Sequence, residues 1–156
     1  MCIRFPLDCR VYLKSEVVPA PPYAYHMIVP GETTIAEADV IISATILKKG
    51  GLMVWGKEGY GPNKAYFDMD KFSLPLFIRN RRNGDLFYPK GMNGRRKKIK
   101  EYFIDMKVHR GERDRIPVLT SSEGILWIIG YRTDERFKVT AATKNILEVK
   151  AVKDAA

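Results

Sequence analysis

Turn-forming residues interrupt this 156-residue chain so often that no regular element can run for long. Glycine, proline and asparagine favour turns because they supply backbone torsions that strands and helices do not use. The segments between the turns are rich in β-branched and aromatic residues, which favours short strands. The turns lie at Pro30–Thr33, Lys48–Gly51, Asp70, Asn83–Asp85, Lys90–Gly94 and Ser121–Gly124. The sequence therefore predicts an α+β fold of short mixed or antiparallel strands with few helices.

One segment has the spacing of an amphipathic helix. Between Arg95 and Lys107, apolar residues recur at i, i+3, i+4 and i+7, which places them on one face. Those residues are Ile99, Tyr102, Phe103 and Met106. Strands are expected at residues 25–29, 40–47, 65–69, 76–81, 117–120, 125–131 and 146–150.

The chain divides into a linker, two subdomains and a tail. Residues 1–22 end in a proline-rich run, Val18-Pro-Ala-Pro-Pro22, which helices and sheet centres both avoid. We therefore predict a linker or tail at 1–22, a first subdomain at 23–74, a second at 75–150 and a short tail at 151–156. With 46% hydrophobic residues, the chain can bury a core without a disulfide.

Positive charge is concentrated in the second subdomain. The stretch from Phe77 to Lys138 holds sixteen of the 27 Lys and Arg residues but only eight of the 18 Asp and Glu residues. It therefore carries +8 of the net charge of +9. A region with this bias is suited to bind a polyanion, with nucleic acid as the first class to consider.

The densest cations lie at the start of the expected helix. Arg95, Arg96, Lys97 and Lys98 would occupy its first turn, where the helix dipole favours acidic residues by about 0.3 to 1 kcal/mol each. A bound phosphate would favour cations there, aided by exposed N–H groups and by the flexible Gly91 and Gly94. The alternative is a solvated run of charge that only keeps the protein soluble. The neighbouring arginines, with Arg79 and Arg81 on one face of the 76–81 strand, favour the phosphate interpretation.

A second cluster, His109 to Arg115, mixes signs, and some of its arginines can pair with Glu112 or Asp114 for little gain in stability. His109 alone is interpreted as structural or solvent-facing. Phe87 and Tyr88 are interpreted mainly as core residues, although either ring in a loop can stack on an exposed base.

Several other kinds of site are disfavoured. Cys2 and Cys9 lack metal-ligand spacing and are interpreted as reduced thiols. The segment Gly51–Glu58 has P-loop spacing, but it ends in Glu where Ser or Thr must hold magnesium. No spacing groups the acids into a two-metal site, and they are expected to pair with neighbouring basic residues. They are Asp85, Asp105, Glu112, Asp114, Asp134 and Glu135. No apolar run is long enough to cross a bilayer, so we expect a cytoplasmic protein without a membrane partner.

Three segments together resemble a known family. They are PGETTI at Pro30–Ile35, the basic stretch from Ile78 to Leu119, and GYRTDERFKVT at Gly130–Thr140. Over residues 24–150 the chain resembles the C-terminal region of bacterial tRNA(Ile)-lysidine synthetase. The resemblance implies a domain like the tRNA-binding domain of the phenylalanyl-tRNA synthetase β chain, one that holds the acceptor stem of an isoleucine-accepting tRNA.

The resemblance also implies chemistry that this chain does not carry. Enzymes of the family use ATP, with magnesium, to attach lysine to the wobble cytidine, and their adenylating domain has a Ser-Gly-Gly-x-Asp-Ser pyrophosphate loop. This sequence contains no Ser-Gly-Gly. We expect a C-terminal fragment with no cofactor and no catalytic residues of its own, inactive as a ligase alone, whose partners are tRNA and the N-terminal catalytic domain.

The candidate tRNA-binding residues follow from the charge pattern. They are Arg79, Arg81, Arg82, Arg95, Arg96, Lys97, Lys98, Arg110, Arg113 and Arg115. Residues 23–74 would brace the surface that these cations form. The main alternative is a protein-interaction module whose basic face docks an acidic partner, and a metal-dependent nuclease is the third.

Overall fold

The computed structural model describes residues 21–48 and 63–153. Expectations for residues 1–20, for the P-loop-like segment and for residues 154–156 therefore fall outside the described residues. Within them lie ten strands and one α-helix. The strands are β1 Ala24–His26, β2 Gly31–Ile35, β3 Val40–Lys48, β4 Lys64–Asp68, β5 Phe77–Arg79, β6 Leu86–Phe87, β7 Lys97–Lys98, β8 Val118–Ser121, β9 Gly124–Ile128 and β10 Asn145–Lys153, and the helix is α1 Ile99–Asp105.

One four-stranded antiparallel sheet has the order β2-β3-β10-β4. Strand β10 is central and pairs with β3 along all nine of its residues. The expected tail at 151–156 is therefore wrong at its start, because Ala151 pairs with Ile42 and is buried, and Lys153 pairs with Val40. Pairing with β3, which is distant in sequence, extends β10 beyond residue 150, where the predicted strand ended.

The other four-stranded sheet has the order β1-β5-β8-β9, also antiparallel. Its β8–β9 hairpin closes around the expected Ser121–Gly124 turn, which confirms that pairing. Strands from both sides of the expected boundary after residue 74 share each sheet, since β1 pairs with β5 and β10 pairs with β3 and β4. One apolar core joins the two sheets, with the rings of Phe67 and Trp127 6.2 Å apart.

A second apolar cluster lies under the helix. Ile99, Tyr102 and Phe103 are buried there, as the periodicity predicts, against residues that include Phe87 and Ile128. The predicted boundaries Arg95–Lys107 are wrong, because α1 covers only seven residues. Before the helix, Lys97 and Lys98 form strand β7, which pairs with β6. After the helix, Lys107 adopts a left-handed φ of 56°. This cluster supports the surface on which the basic residues converge.

Candidate nucleic-acid interface

An open groove of about 710 Å³ lies beside the start of α1. Six of its ten lining residues are Lys or Arg and only two are acidic. The lining residues are Arg81, Arg82, Asn83, Gly84, Asp85, Lys98, Lys100, Arg110, Arg113 and Asp114. A concave surface lined mainly by one sign of charge focuses its field, so the groove is suited to hold phosphate groups.

One wall of the groove is the turn from Arg82 to Asp85. The Asp85 carboxylate accepts the Arg82 N–H at 2.7 Å, and the Asp85 N–H donates to the Arg82 carbonyl at 3.1 Å. From below, the Arg79 guanidinium donates to both oxygens of Asp85, at 2.8 and 3.1 Å. The turn is therefore held at both ends, and the Arg82 side chain remains exposed.

The opposite wall is the segment from Arg110 to Asp114. The buried Asn80 side chain, two residues before Arg82, donates to the Asp114 carbonyl at 3.0 Å. Arg81 Nε donates to the Asp114 carboxylate at 2.9 Å, and the Arg81 guanidinium lies 5.8 Å from the centre of the Phe103 ring. A carboxylate and an aromatic face thus fix the direction of Arg81.

Cations crowd this second wall. Burial lowers the pKa of Arg113, and repulsion from Arg81 and then Arg110 lowers it further, against the smaller attraction of Asp114. Arg113 Nε also donates to the Val108 carbonyl at 2.9 Å. Three guanidinium groups therefore repel one another here, and an anion bound between them would relieve that repulsion.

The third side of the groove is contributed by Lys98 and Lys100 at the start of α1. Lys98 has extended torsions, with φ −71° and ψ 140°, and is the N-cap, so Arg95, Arg96 and Lys97 all precede the helix. The expectation that four cations occupy the first helical turn is therefore wrong. The charged residues of that turn include the acidic Glu101, as the dipole favours. Of the cations near the helix start, Lys98 at the N-cap and Lys100 in the first turn still oppose the dipole, and Arg95, Arg96 and Lys97 do not.

A second set of cations lies on the basic loop, which we define as residues 90–96. Arg95 and Arg96 are exposed and have no ion pair with any other described residue. The loop turns through Asn93 and Gly94, both with positive φ, before β7 begins. Next in the chain, Lys97 forms an ion pair with Asp105.

The ten candidate residues thus fall into different places. Half of them line the groove: Arg81, Arg82, Lys98, Arg110 and Arg113. The other half do not: Arg79, Arg95, Arg96, Lys97 and Arg115. Sequence reasoning missed Lys100, which also lines the groove, because it was counted with the helix and not with the cations before it. The signal that identifies Lys100 is its position directly after Ile99: the helical spacing buries Ile99 and leaves Lys100 exposed.

The aromatic and histidine candidates have partners inside the protein. Phe87 is fully buried, as expected for a core residue. The Tyr88 ring is covered by the Arg136 guanidinium, whose central carbon lies 4.2 Å from the ring centre. His109 Nδ1 accepts the Gly111 N–H at 3.0 Å, which gives this side chain a structural contact. Phe87 is therefore not placed to stack on a base.

The acidic residues pair with cations. Asp134 accepts two hydrogen bonds from the Arg136 guanidinium, at 3.0 and 3.1 Å, and Glu135 pairs with Lys138. Across residues 21–48 and 63–153, no three His, Cys, Asp or Glu side chains are grouped to hold a metal ion. The Ser-Gly-Gly of the pyrophosphate loop is also absent from the sequence.

The second half of the chain matches a family model. Residues 76–149 match the model described as the TilS substrate C-terminal domain. The match covers just under half of the chain, which is therefore similar to the TilS C-terminal domain over these residues. A solved structure, described as the crystal structure of the TilS C-terminal domain, superposes with a TM-score of 0.74 and 26% identity. The alignment covers 87% of this chain and 100% of that one, so the resemblance to the TilS C-terminal region and the α+β fold are both confirmed.

Curated relatives of this chain are tRNA(Ile)-lysidine synthases. The enzyme from Caldanaerobacter subterraneus is 43% identical over 89 residues, which is 57% of this chain and 19% of that protein. The enzyme from Clostridium tetani is 44% identical over 97 residues, or 62% and 20% of the two chains. The chain thus spans about a fifth of the length of these relatives. Among residues 21–48 and 63–153, no helix is long and apolar enough to span a membrane.

Proposed function

We propose that this domain binds tRNA by its acceptor stem, with the groove as the phosphate-binding surface. The observation that carries the proposal is the convergence of six cations from three separate chain segments on one concave surface. Four of them, Arg82, Lys98, Lys100 and Arg110, are exposed and have no ion pair with another described residue. They are free to pair with phosphate groups. The match to the TilS substrate C-terminal domain supports tRNA as the polyanion.

The shape of an RNA stem fits this kind of recognition. A-form RNA has a deep, narrow major groove that side chains cannot read and a wide, shallow minor groove edged by phosphates and 2′-hydroxyls. A domain that reads phosphates from a rigid concave surface recognises the stem by shape and charge. Any preference for particular base pairs depends on a few side chains at the edges of the RNA groove.

In a full-length tRNA(Ile)-lysidine synthase, this domain would hold the tRNA while another part of the enzyme performs the chemistry. That part would use ATP and magnesium to attach lysine to the wobble cytidine of the isoleucine tRNA. On this proposal the domain contributes affinity and orientation. Its partners are the tRNA and the N-terminal catalytic domain of the same enzyme.

Salt dependence tests the proposal directly. If about five phosphates are neutralised, raising salt from 50 to 200 mM weakens binding roughly a hundredfold to a thousandfold. Fluorescence anisotropy with an isoleucine tRNA, an unrelated tRNA and an isolated acceptor-stem hairpin measures the dissociation constant across that range. A dissociation constant that does not change with salt rejects the groove as a phosphate-binding surface. Equal binding to the hairpin and the whole tRNA supports acceptor-stem recognition, whereas binding only to the whole tRNA rejects it.

The same assay tests the alternative function. A protein-interaction module with an acidic partner would bind neither tRNA nor the hairpin at 50 mM salt. That result would favour an acidic protein as the occupant of the groove.

A further inference from the structure

Two of the groove's neighbouring charged groups face each other instead of the solvent. Arg79 and Asp85 make two parallel hydrogen bonds, at 2.8 and 3.1 Å, and each side chain is only 13% exposed. Arg79 does not line the groove. We propose that Arg79 and Asp85 are a positioning pair, which contacts no RNA but holds Arg82 and Lys98 in the directions that phosphate binding requires. The inference rests on the proposed RNA-binding function.

Asp85 fixes Arg82 through the turn between them. Its carboxylate Oδ2 accepts both the Arg82 N–H at 2.7 Å and a hydrogen bond from Arg79. Gly84, inside the turn, has a φ of 85°, a torsion that side-chain-bearing residues seldom adopt. Within this tight turn, the Asp85 carboxylate is the hydrogen-bond acceptor of the Arg82 N–H.

Asp85 fixes Lys98 through the backbone. The Asp85 carbonyl accepts the Ile99 N–H at 3.0 Å, and the next residue, Leu86, pairs with Lys98 in the β6–β7 ribbon. The position of Lys98 therefore depends on its own pairing with Leu86 and on the hydrogen bond from the next residue, Ile99, to Asp85. One residue sets the location of cations on two different sides of the groove.

The bidentate geometry makes the two residues one unit. Removing either partner leaves the other charge largely buried and without its partner, which disturbs the site more than removing both. Simple Coulomb attraction predicts something different. Near a polyanion, the loss of the Asp85 charge should strengthen binding and the loss of the Arg79 charge should weaken it. The two accounts predict opposite signs for the Asp85 variant.

A four-protein cycle measures which sign holds. The proteins are wild type, Arg79→Gln, Asp85→Asn and the double variant, each titrated with the acceptor-stem hairpin at several salt concentrations. We expect both single variants to bind about tenfold more weakly at 0.1 M salt, with the slope of log affinity against log salt reduced by about one. The double variant should bind no more weakly than the singles.

Two further variants separate positioning from charge and from folding. Arg79→Lys keeps the net charge but cannot make both hydrogen bonds, so we expect it to lose affinity as well. Asp105→Asn removes a carboxylate that also pairs with a cation, Lys97, but is 58% exposed. We expect that control to bind as wild type or slightly more tightly. Circular dichroism at the assay temperature shows which variants remain folded.

The outcomes are distinguishable. Tighter binding by Asp85→Asn, or wild-type affinity in folded Arg79→Lys, overturns the positioning role, and the second result decides the matter even if Asp85→Asn does not fold. Absence of salt-dependent RNA binding by the wild-type protein would instead overturn the proposed function. Weak binding by Asp85→Asn and Arg79→Lys together with an unaffected Asp105→Asn supports the pair.

Discussion

The groove and the basic loop carry the same kind of charge but are built differently. In the groove, Arg81 is aimed by Asp114 and Phe103, and Arg113 is partly buried. On the loop, Arg95 and Arg96 are exposed and pair with no carboxylate among residues 21–48 and 63–153. The loop has more freedom and the groove has more order.

This difference bears on how charge becomes binding energy. A flexible cation loses side-chain entropy when a phosphate fixes it, up to about 2 kcal/mol for Lys or Arg. A cation that is already directed by the fold loses less, and several converging cations act on one phosphate backbone at once. We therefore expect the groove to determine affinity and the loop to add to it. The predictions below test that ranking, from the largest effect to the smallest.

A buried carboxylate, Asp134, lies in the segment that contacts the basic loop. Asp134 is fully buried and accepts hydrogen bonds from the Tyr88 N–H and from Arg136. Its neighbours hold the loop, since the Thr133 carbonyl accepts the Lys90 N–H and the Glu135 carboxylate accepts the Gly91 N–H. We expect Asp134→Ala to lower the free energy of unfolding by about 3 kcal/mol, because it leaves the Tyr88 N–H and the Arg136 guanidinium without their acceptor. Urea denaturation measures this.

Asp134→Asn is the matched control, since it keeps one acceptor oxygen and the side-chain volume. We expect it to be destabilised less than Asp134→Ala. Equal stability of Asp134→Ala and wild type would show that the loop and its neighbouring segment need no such anchor.

Removing two groove cations should have the largest effect on RNA binding. Arg82 and Arg110 lie on opposite walls, and both are exposed without a described ion pair. We expect Arg82→Gln with Arg110→Gln to weaken hairpin binding about a hundredfold at 0.1 M salt, as the loss of two phosphate contacts predicts. Fluorescence anisotropy gives the dissociation constant, and the salt slope should fall by about two. A loss of affinity without a change in slope would assign these residues a role other than phosphate binding.

Which of these features the sequence could predict depends on whether they are local. The buried face of α1, with Ile99, Tyr102 and Phe103, follows from a spacing that any reader of the sequence can count. The start of α1 does not, because it is set by β6, whose residues lie ten or more positions earlier. The Arg79–Asp85 pair was not predictable either, since nothing local in the sequence shows that Asp85 faces Arg79 across the turn.

The matched change on the basic loop should be much weaker. We expect Arg95→Gln with Arg96→Gln to reduce affinity only about threefold, because neither residue lines the groove. They would act on the RNA mainly through a field that 0.1 M salt screens within about 10 Å. The loss should be similar for many RNA stems. A loss as large as that of the groove variant would reverse the ranking, and a loss confined to one stem sequence would show that these residues read bases.

A charge outside both regions provides the last test. Glu123 does not line the groove; its carboxylate accepts the Ser73 N–H and hydroxyl, both at 2.9 Å, and so connects the β8–β9 hairpin to the segment after β4. These hydrogen bonds, the backbone one first, lower the pKa of Glu123 from 4.5 to about 2. Since the folded state holds the ionised form, the stabilisation is complete above pH 4.5 and is lost as the pH falls towards 2.

Glu123→Gln should therefore have a lower Tm than wild type at pH 7, and that difference should shrink between pH 4.5 and 2. Thermal melts followed by circular dichroism across that range measure it. Removing this negative charge should leave RNA affinity at pH 7 unchanged, because Glu123 lies neither in the groove nor on the basic loop. Tighter RNA binding by Glu123→Gln would mean that net charge, and not the arrangement of the groove, governs affinity, and the contrast between groove and loop would lose its basis.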